Sequence, residues 1–290
     1  MSYSQVIKEE MCRLEAVKDC CMRAELSAVY HINNAGGAPP GGIVTENAAV
    51  ARRIYNLAKI LNYPHPVINV NKKLNLKKNA VYSVHTGECA PLSQSVKKKC
   101  CKKAALRGMF LAGGSITDPE KLYHLEIYCK NIEMTRYIAG LMSGFNLNPK
   151  IMERIDYNVV YIKDSEQIVN FLNITGAHRA LLSLENTRIL KDVRNGVNRA
   201  VNCETANLEK IVNASLRQTA CIAYIKDMIG FDALPANLRE IAELRYQNRE
   251  ISLKELGLIL SPPLGKSGVN HRMRKLESIA AELQFTSTSS

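Results

Sequence analysis

The sequence predicts an α+β protein: a duplicated α/β domain with pseudo-twofold symmetry, followed by an all-α helix-turn-helix domain. Segments 46–62 and 130–146 repeat with an offset of 84 residues, and a shorter helix rich in small residues stands before each copy. From residue 232 onward, three amphipathic helical segments follow one another, with positive charge gathered on the last. The expected divisions are 1–90 and 91–185 for the two halves, 186–231 for a helical linker and 232–290 for the helix-turn-helix domain.

Length and composition bound the problem. At 290 residues the chain has room for about two domains of ~150 residues. A hydrophobic content of 46% with 23% charged residues is ordinary for a soluble globular protein. The apolar runs are far shorter than the ~18 residues a membrane helix needs. The opening MSYSQVIKEEMCRLEAV carries Glu9, Glu10 and Glu15 where a signal peptide has its apolar core. A cytoplasmic protein without a membrane partner is expected. The nine cysteines include no CxxC, and Cys20-Cys21 and Cys100-Cys101 are adjacent pairs with the wrong spacing for a zinc knuckle. They read as reduced, mostly buried thiols, so neither metal nor cofactor is expected. The net charge of +12 is spread as +4, +4, +3 and +1 over 1–90, 91–185, 186–231 and 232–290. That distribution fits an extended nucleic-acid contact, since each neutralised phosphate releases counterions; a basic surface kept for solubility is the alternative.

In order along the chain, the first small-residue helix is 24–37, with Ala24, Ser27 and Ala28 permitting close approach, and a loop, APPGG, follows at 38–42. A strand-like run at 41–45 precedes the helix 46–62, and further runs follow at 65–70 and 80–85. The second small-residue helix, 104–115, offers Gly108, Ala112 and Gly113. The run 124–129, the helix 130–146 and the runs 150–155 and 158–163 then repeat the pattern. In the repeat Asn47 matches Asn131, Arg52 matches Arg136, Ile54 matches Ile138, Leu57 matches Leu141 and Asn62 matches Asn146. The apolar members fall at helical spacing, and the leading Asn suits an N-cap.

The stretch RGMFLAGGSIT (107–117) resembles a LAGLIDADG motif helix, and the duplicated organisation resembles the LAGLIDADG homing-endonuclease fold. A closer resemblance is to the WhiA family of bacterial regulators, carried by TENAAVARRIYNL (45–57), ALRGMFLAGGSITDPEKLYHLEI (105–127), NRAVNCETANLEK (198–210) and SLKELGLILSPPLGKSGVNHRMRKL (252–276). The resemblance implies a role in sporulation, cell division and chromosome segregation, with promoters as targets and RNA polymerase and its sigma factor as partners.

LAGLIDADG nucleases place one acid at the end of each motif helix, where the pair holds metal ions that activate water. Those positions are occupied here by Asn33 and Gly113. Amide and glycine cannot replace the anionic oxygens that hard cations require. Asp118 and Glu120 lie past the second helix in ITDPE, where Thr117 and Glu120 form a TxxE pattern that reads as a turn or cap. The six histidines show no HExxH spacing, GxSxG is absent, and Gly265-Lys266-Ser267 lacks the earlier glycine of a Walker loop. The chain is therefore expected not to be an enzyme.

The C-terminal segments supply a reader. The first follows Leu234-Pro235, with Leu238, Ile241, Ala242 and Leu244 on one stripe. Ser252 and Glu255 form a capping box for the second, which turns Leu253, Leu256 and Leu260 inward. After SPPLGK the third can start at Ser267, with Val269, Met273, Leu276, Ile279 and Leu283 on one face. The succession is a helix-turn-helix pattern resembling the promoter-reading helices of sigma factors. Glu240, Glu243, Glu250 and Glu255 precede the third helix, whereas Lys266, Arg272, Arg274 and Lys275 crowd it without an acid. Ser267, Asn270, His271 and Arg274 are the candidates for base edges; Lys266, Arg272 and Lys275 are the candidates for phosphates. A solvated basic helix that binds protein is the alternative.

Elsewhere, Arg188, Lys191, Arg194 and Arg199 fall on one side of the linker helix and can track a phosphate backbone or form a solvated face. Leu208, Ile211, Val212, Ser215, Ile222 and Ile225 form a stripe that needs a packing partner. The run KKKCCKK before the second motif helix, with Lys97, Lys98, Lys99, Lys102 and Lys103, is either a nonspecific DNA contact or a flexible charged linker. The expectation is a monomeric, nucleoid-associated transcriptional regulator that binds double-stranded DNA. An active nuclease and a protein-interaction scaffold acting with a sigma factor are its rivals.

Overall fold

Two helices that begin alike and pack against each other organise the first half of the chain. In the computed structural model, residues 2–15, 18–34, 42–71 and 80–288 are described. The loop 38–42, except for its last residue, and 35–37 of the first motif-helix segment lie outside them. The chain divides into two units, Met1–Asp192 and Val193–Ser290.

Unit 1 opens with α1 (Tyr3–Cys12) and the first motif helix α2 (Asp19–Asn34), followed by β1 (Gly42–Thr45), α3 (Ala48–Ile60), β2 (Val67–Asn71), β3 (Val81–His85) and the short α4 (Leu92–Ser95). The second half has the motif helix α5 (Lys99–Gly113), β4 (Gly114–Ile116), β5 (Leu125–Cys129), α6 (Ile132–Ser143), β6 (Lys150–Glu153), β7 (Asn158–Ile162) and α7 (Ser165–Thr175). The antiparallel sheets have the orders β1-β3-β2 and β4-β5-β7-β6, so β5-β7-β6 repeats β1-β3-β2 and β4 is added on one edge. Registers agree as well: Ile43 and Ile68 both face Val84, and in the second sheet Ile127 and Ile151 both face Val160. In β5 the pleat buries Leu125, Ile127 and Cys129 and turns Glu126 and Tyr128 outward.

The repeat is capped in the same way twice. The Asn47 side chain accepts from the N–H groups of Ala49 and Val50 at 2.9 and 3.2 Å, and the Asn131 side chain from Glu133 and Met134 at 2.7 and 3.2 Å. Close packing of α2 on α5 depends on Gly108, where a Cβ would stand 2.4 Å from the Glu25 carbonyl oxygen and 3.1 Å from the Ala28 Cβ. Some elements have no counterpart in the sequence prediction. β4 is three residues leaving α5 without a turn, α1 starts on a Ser2–Gln5 capping box, and α7 starts at an Asp164 cap.

The predicted linker 186–231 is not a separate element. All but its last two residues belong to α8 (His178–Ile229), a helix of 52 residues that spans the division at 192/193. Ala180 and Leu184 join the first core, and Ile222 and Ile225 the second. The predicted stripe is buried only toward its end: Ser215, Ile222 and Ile225 are buried, while Leu208, Ile211 and Val212 are exposed. Unit 2 continues through a 3-10 turn (Phe231–Ala233), α9 (Ala236–Gln247), α10 (Leu253–Ile259) and α11 (Lys266–Thr288).

Candidate nucleic-acid interface

Unit 2 combines short-range devices into a platform for α11. Pro235 stands immediately before α9, where its missing N–H loses no helical hydrogen bond. Ser252 and Glu255 cap α10 reciprocally: the Ser252 N–H donates to Glu255 Oε2 at 2.8 Å and the Glu255 N–H to Ser252 Oγ at 3.3 Å. The turn between α10 and α11 closes on Gly257, whose carbonyl accepts from the Leu264 N–H at 2.8 Å. A Cβ at Gly257 would lie 2.1 Å from the Leu264 carbonyl oxygen, so the turn requires glycine at this place. Leu238, Ile241 and Ala242 of α9, Leu256 and Leu260, and Val269, Met273, Leu276 and Ala280 of α11 make the core, with Leu244, Leu253, Ile279 and Leu283 at its margin.

Burying Val269, Met273, Leu276 and Ala280 leaves the opposite side of α11 to solvent. Ser267, His271 and Arg274 recur there at spacings of four and three, flanked by exposed Lys266 and Lys275. Asn270 lies half-buried at the edge of this face. Arg272 does not belong to it. That residue is half-buried and its Nη1 donates to the Asn237 carbonyl at 3.1 Å, tying α11 to α9. This candidate phosphate ligand thus has one of its donors already engaged within unit 2. The acids ahead of α11 are occupied within unit 2 or lie in a loop, and the first acid on α11 itself is Glu277. Glu240 accepts from the Ser261 N–H at 2.9 Å, Glu255 is held in its cap, and Glu250 lies in the loop before α10.

The other candidate cations separate in the same way. Lys191 donates to the Pro119 carbonyl at 2.6 Å and lies 4.9 Å over the Tyr123 ring, so it is committed within unit 1. Arg188 pairs with Glu185 at 3.0 Å. Arg199 is exposed and turns its Nε to the Asn195 carbonyl at 3.2 Å, and Arg194 is exposed on the same helix. Lys97, Lys98, Lys99, Lys102 and Lys103 are all exposed, but the segment is no linker: α5 starts at Lys99, with Lys98 as its N-cap residue.

At the ends of the motif helices, the positions that carry acids in the nuclease pattern have structural occupations. Asn33 Oδ1 accepts from the Val44 N–H at 3.1 Å and its Nδ2 donates to the Val29 carbonyl at 3.1 Å, pinning β1 to α2. Gly113 runs so close to β5 that a Cβ would stand 2.5 Å from the Tyr128 carbonyl oxygen. An aspartate there would have to displace backbone. The TxxE pattern is a turn organised by Asp118, whose Oδ1 accepts from the Glu120 N–H at 3.0 Å and whose carbonyl accepts from the Lys121 N–H at 2.9 Å.

Two groupings are invisible to spacing rules. Glu25, fully buried in α2, meets Arg53 Nε at 2.9 Å and Arg107 Nη2 at 2.6 Å, and these cations come from α3 and α5. The four thiols of the adjacent cysteine pairs, read as filler, gather with all Sγ atoms within 4.8 Å of one another. A signal existed: Cys20-Cys21 and Cys100-Cys101 occupy the second and third residues of α2 and α5.

Comparison with known proteins agrees with this geometry along the whole chain. Family models match for the WhiA N-terminal LAGLIDADG-like domain over residues 19–90, the WhiA LAGLIDADG-like domain over 102–194 and the WhiA C-terminal HTH domain over 197–280. The chain is 48% identical to the probable cell division protein WhiA of Ruminiclostridium cellulolyticum, over 98% of both chains. It is 45% identical to the protein of the same name from Bacillus subtilis, over 99% of both. The crystal structure of full-length DUF199/WhiA from Thermatoga maritima matches with a TM-score of 0.62 at 29% identity, covering 97% of this chain and 99% of that one.

Proposed function

This chain belongs to the WhiA family, and on that premise we propose that it is a sequence-specific DNA-binding regulator of transcription without nuclease activity, reading its sites with α11. The observation that carries the proposal is the solvent face of α11. Ser267, His271 and Arg274 present hydrogen-bonding groups there, with Lys266 and Lys275 at its flanks. An α-helix fits the major groove, where Arg274 can pair bidentately with guanine and Asn270, from the edge of the face, with adenine. Lys266 and Lys275 take the phosphates. Arg272 is left out, because its guanidinium holds α9.

The setting in this reading is promoters of cell-division and sporulation genes, RNA polymerase with its sigma factor as partner, and a link to chromosome segregation; the name of the relatives, probable cell division protein, supports its first part. The site of action is the cytoplasm, on the nucleoid; no described helix is long and apolar enough to cross a membrane. Because both motif helices lie in one chain, the protein acts as a monomer. A stable dimer in light scattering would overturn this, and exposed Leu208, Ile211 and Val212 on α8 are apolar residues that such a dimer would cover. Asn33 and Gly113, which supply no carboxylate where the nuclease pattern has its acids, support the reading without cleavage.

The test is selection of random genomic fragments by the whole protein and by a His271→Ala/Arg274→Ala variant, with Mg²⁺ throughout. Fragments enriched by the parent, uncut, and lost by the variant are expected. Cut fragments would make it a nuclease, to be checked by loss of cleavage in Asp118→Ala/Glu120→Ala. Equal binding by both proteins would move recognition to unit 1. Binding that does not weaken between ~50 and ~200 mM salt, where two phosphate contacts already cost about tenfold and ~6 would cost roughly a thousandfold, would favour the scaffold.

A further inference from the structure

We propose that the N-terminal turns of α2 and α5 hold a single zinc ion through Cys20, Cys21, Cys100 and Cys101. The repeat constructs this site. In α2 the helix starts at Asp19, with Cys20 and Cys21 next; in α5 it starts at Lys99, with Cys100 and Cys101 next. The pseudo-twofold relation that packs α2 on α5 through Gly108 therefore brings two equivalent pairs face to face. All four Sγ atoms lie within 4.8 Å of one another, and those of Cys100 and Cys101 are 4.0 Å apart. Tetrahedral zinc with Zn–S bonds of ~2.3 Å sets its sulfurs about 3.8 Å apart, so side-chain rotations of modest size close the shell. With sulfur donors alone, the set selects a soft or borderline ion over Mg²⁺ or Ca²⁺. Its compactness suits one ion better than an iron–sulfur cluster, which holds its thiolates further apart.

The electrostatics agree. Five exposed lysines, Lys97 to Lys99, Lys102 and Lys103, surround the start of α5, where the helix dipole already disfavours cations. Asp19 is the one acid in either first turn. Zinc bound by four thiolates carries a net negative charge, which the lysines and both helix N-termini would offset. Each thiol releases its proton to solvent as its sulfur binds. One of the four residues is buried and three are partly exposed, so the ion has a route in from solvent. Zinc would clamp the two halves of unit 1 at the starts of their motif helices, the opposite end from Asn33 and Gly113.

The experiment uses the full chain, purified under a non-chelating reductant. Elemental analysis should find about one zinc per chain. Replacement by Co²⁺ should give the thiolate-to-cobalt charge-transfer band and the intense visible bands of a tetrahedral site. Cys100→Ser/Cys101→Ser should bring zinc to near zero, while Cys203→Ser, at an exposed position of α8, should leave it unchanged. Should the double variant fail to fold, the cobalt spectrum of the parent chain decides alone. Parent protein without zinc or the cobalt band, zinc retained by the folded double variant, an iron–sulfur chromophore, or an α2–α5 disulfide in place of metal would each overturn the proposal.

Discussion

The α2–α5 interface and the solvent face of α11 are both helical surfaces that carry cations, and the molecule treats them oppositely. At the first, Arg53 and Arg107 converge on buried Glu25, and their remaining donors reach carbonyls: Arg53 those of Cys12 and Leu14, Arg107 that of Thr175. At the second, Arg274 and Lys275 stand in water. What separates the two surfaces is whether the protein already answers the charge. A guanidinium with its carboxylate inside is architecture. One facing solvent beside a hydroxyl and an imidazole is available to a partner.

The sharpest way to break this comparison is to remove Glu25. Glu25→Ala leaves two largely buried guanidinium groups without their counter-charge, and should cost about 3–5 kcal/mol in denaturant unfolding of unit 1. Glu25→Gln keeps an acceptor and should cost less. A Glu25→Ala variant as stable as the parent would mean that the arginines find water, and that the interface is no different in kind from α11. Next come the glycines. Gly108→Ala and Gly257→Ala set a methyl against backbone oxygens at 2.4 and 2.1 Å, and each should destabilise its own unit by about 1–3 kcal/mol. Hydrogen exchange resolved by peptide would show whether each loss stays within 1–192 or 193–290.

On the other surface the expected effect moves from folding to binding. Arg274→Ala should weaken binding to a selected DNA fragment by about 1–3 kcal/mol and relax the preference at one base position, with unfolding unchanged. Arg272→Ala is the matched control, two residues away on the same helix. It removes the bond to the Asn237 carbonyl, so it should lower the stability of unit 2 by about 1 kcal/mol and affect DNA only through that loss. If the two variants behaved alike in both assays, the distinction between an answered and an unanswered cation would fail.

The same distinction decides what was legible in the sequence. Caps were readable because an Asn or Ser acts on N–H groups two or three residues away, as Asn47, Asn131 and Ser252 do. The repeat was readable because its helices and strands keep one order, and the buried face of α11 because its apolar residues recur at helical spacing. The Glu25 cluster was not, since its cations lie 28 and 82 residues away and neither has a spacing rule. Arg272 and Lys191 looked like their neighbours until the structure showed carbonyls beside them. β4, three residues long, is too short for alternation to register. The thiol cluster shows only when the motif helices are aligned through Asn33 and Gly113, at an offset of 80 and not the 84 of the longer repeat, since each pair alone has no metal-binding spacing.

The smallest expected effect concerns a carboxylate that is exposed yet not idle. The Ser252 backbone N–H, and after it the Ser252 hydroxyl, hold the Glu255 carboxyl below its usual range. The folded state therefore binds this proton less readily than the unfolded one, and acidification favours unfolding. The contribution of Glu255 is complete above the ordinary carboxylate range and fades as pH falls through its lower folded value. Glu255→Gln keeps an acceptor for the Ser252 N–H without a titrating group. Amide exchange across 252–260, corrected for intrinsic rates, should show the parent better protected than the variant at neutral pH, and the difference should shrink on acidification. A difference that stayed constant with pH would show that the cap stabilises α10 by geometry alone, leaving the charges of α11 as the ones in unit 2 with work outside the fold.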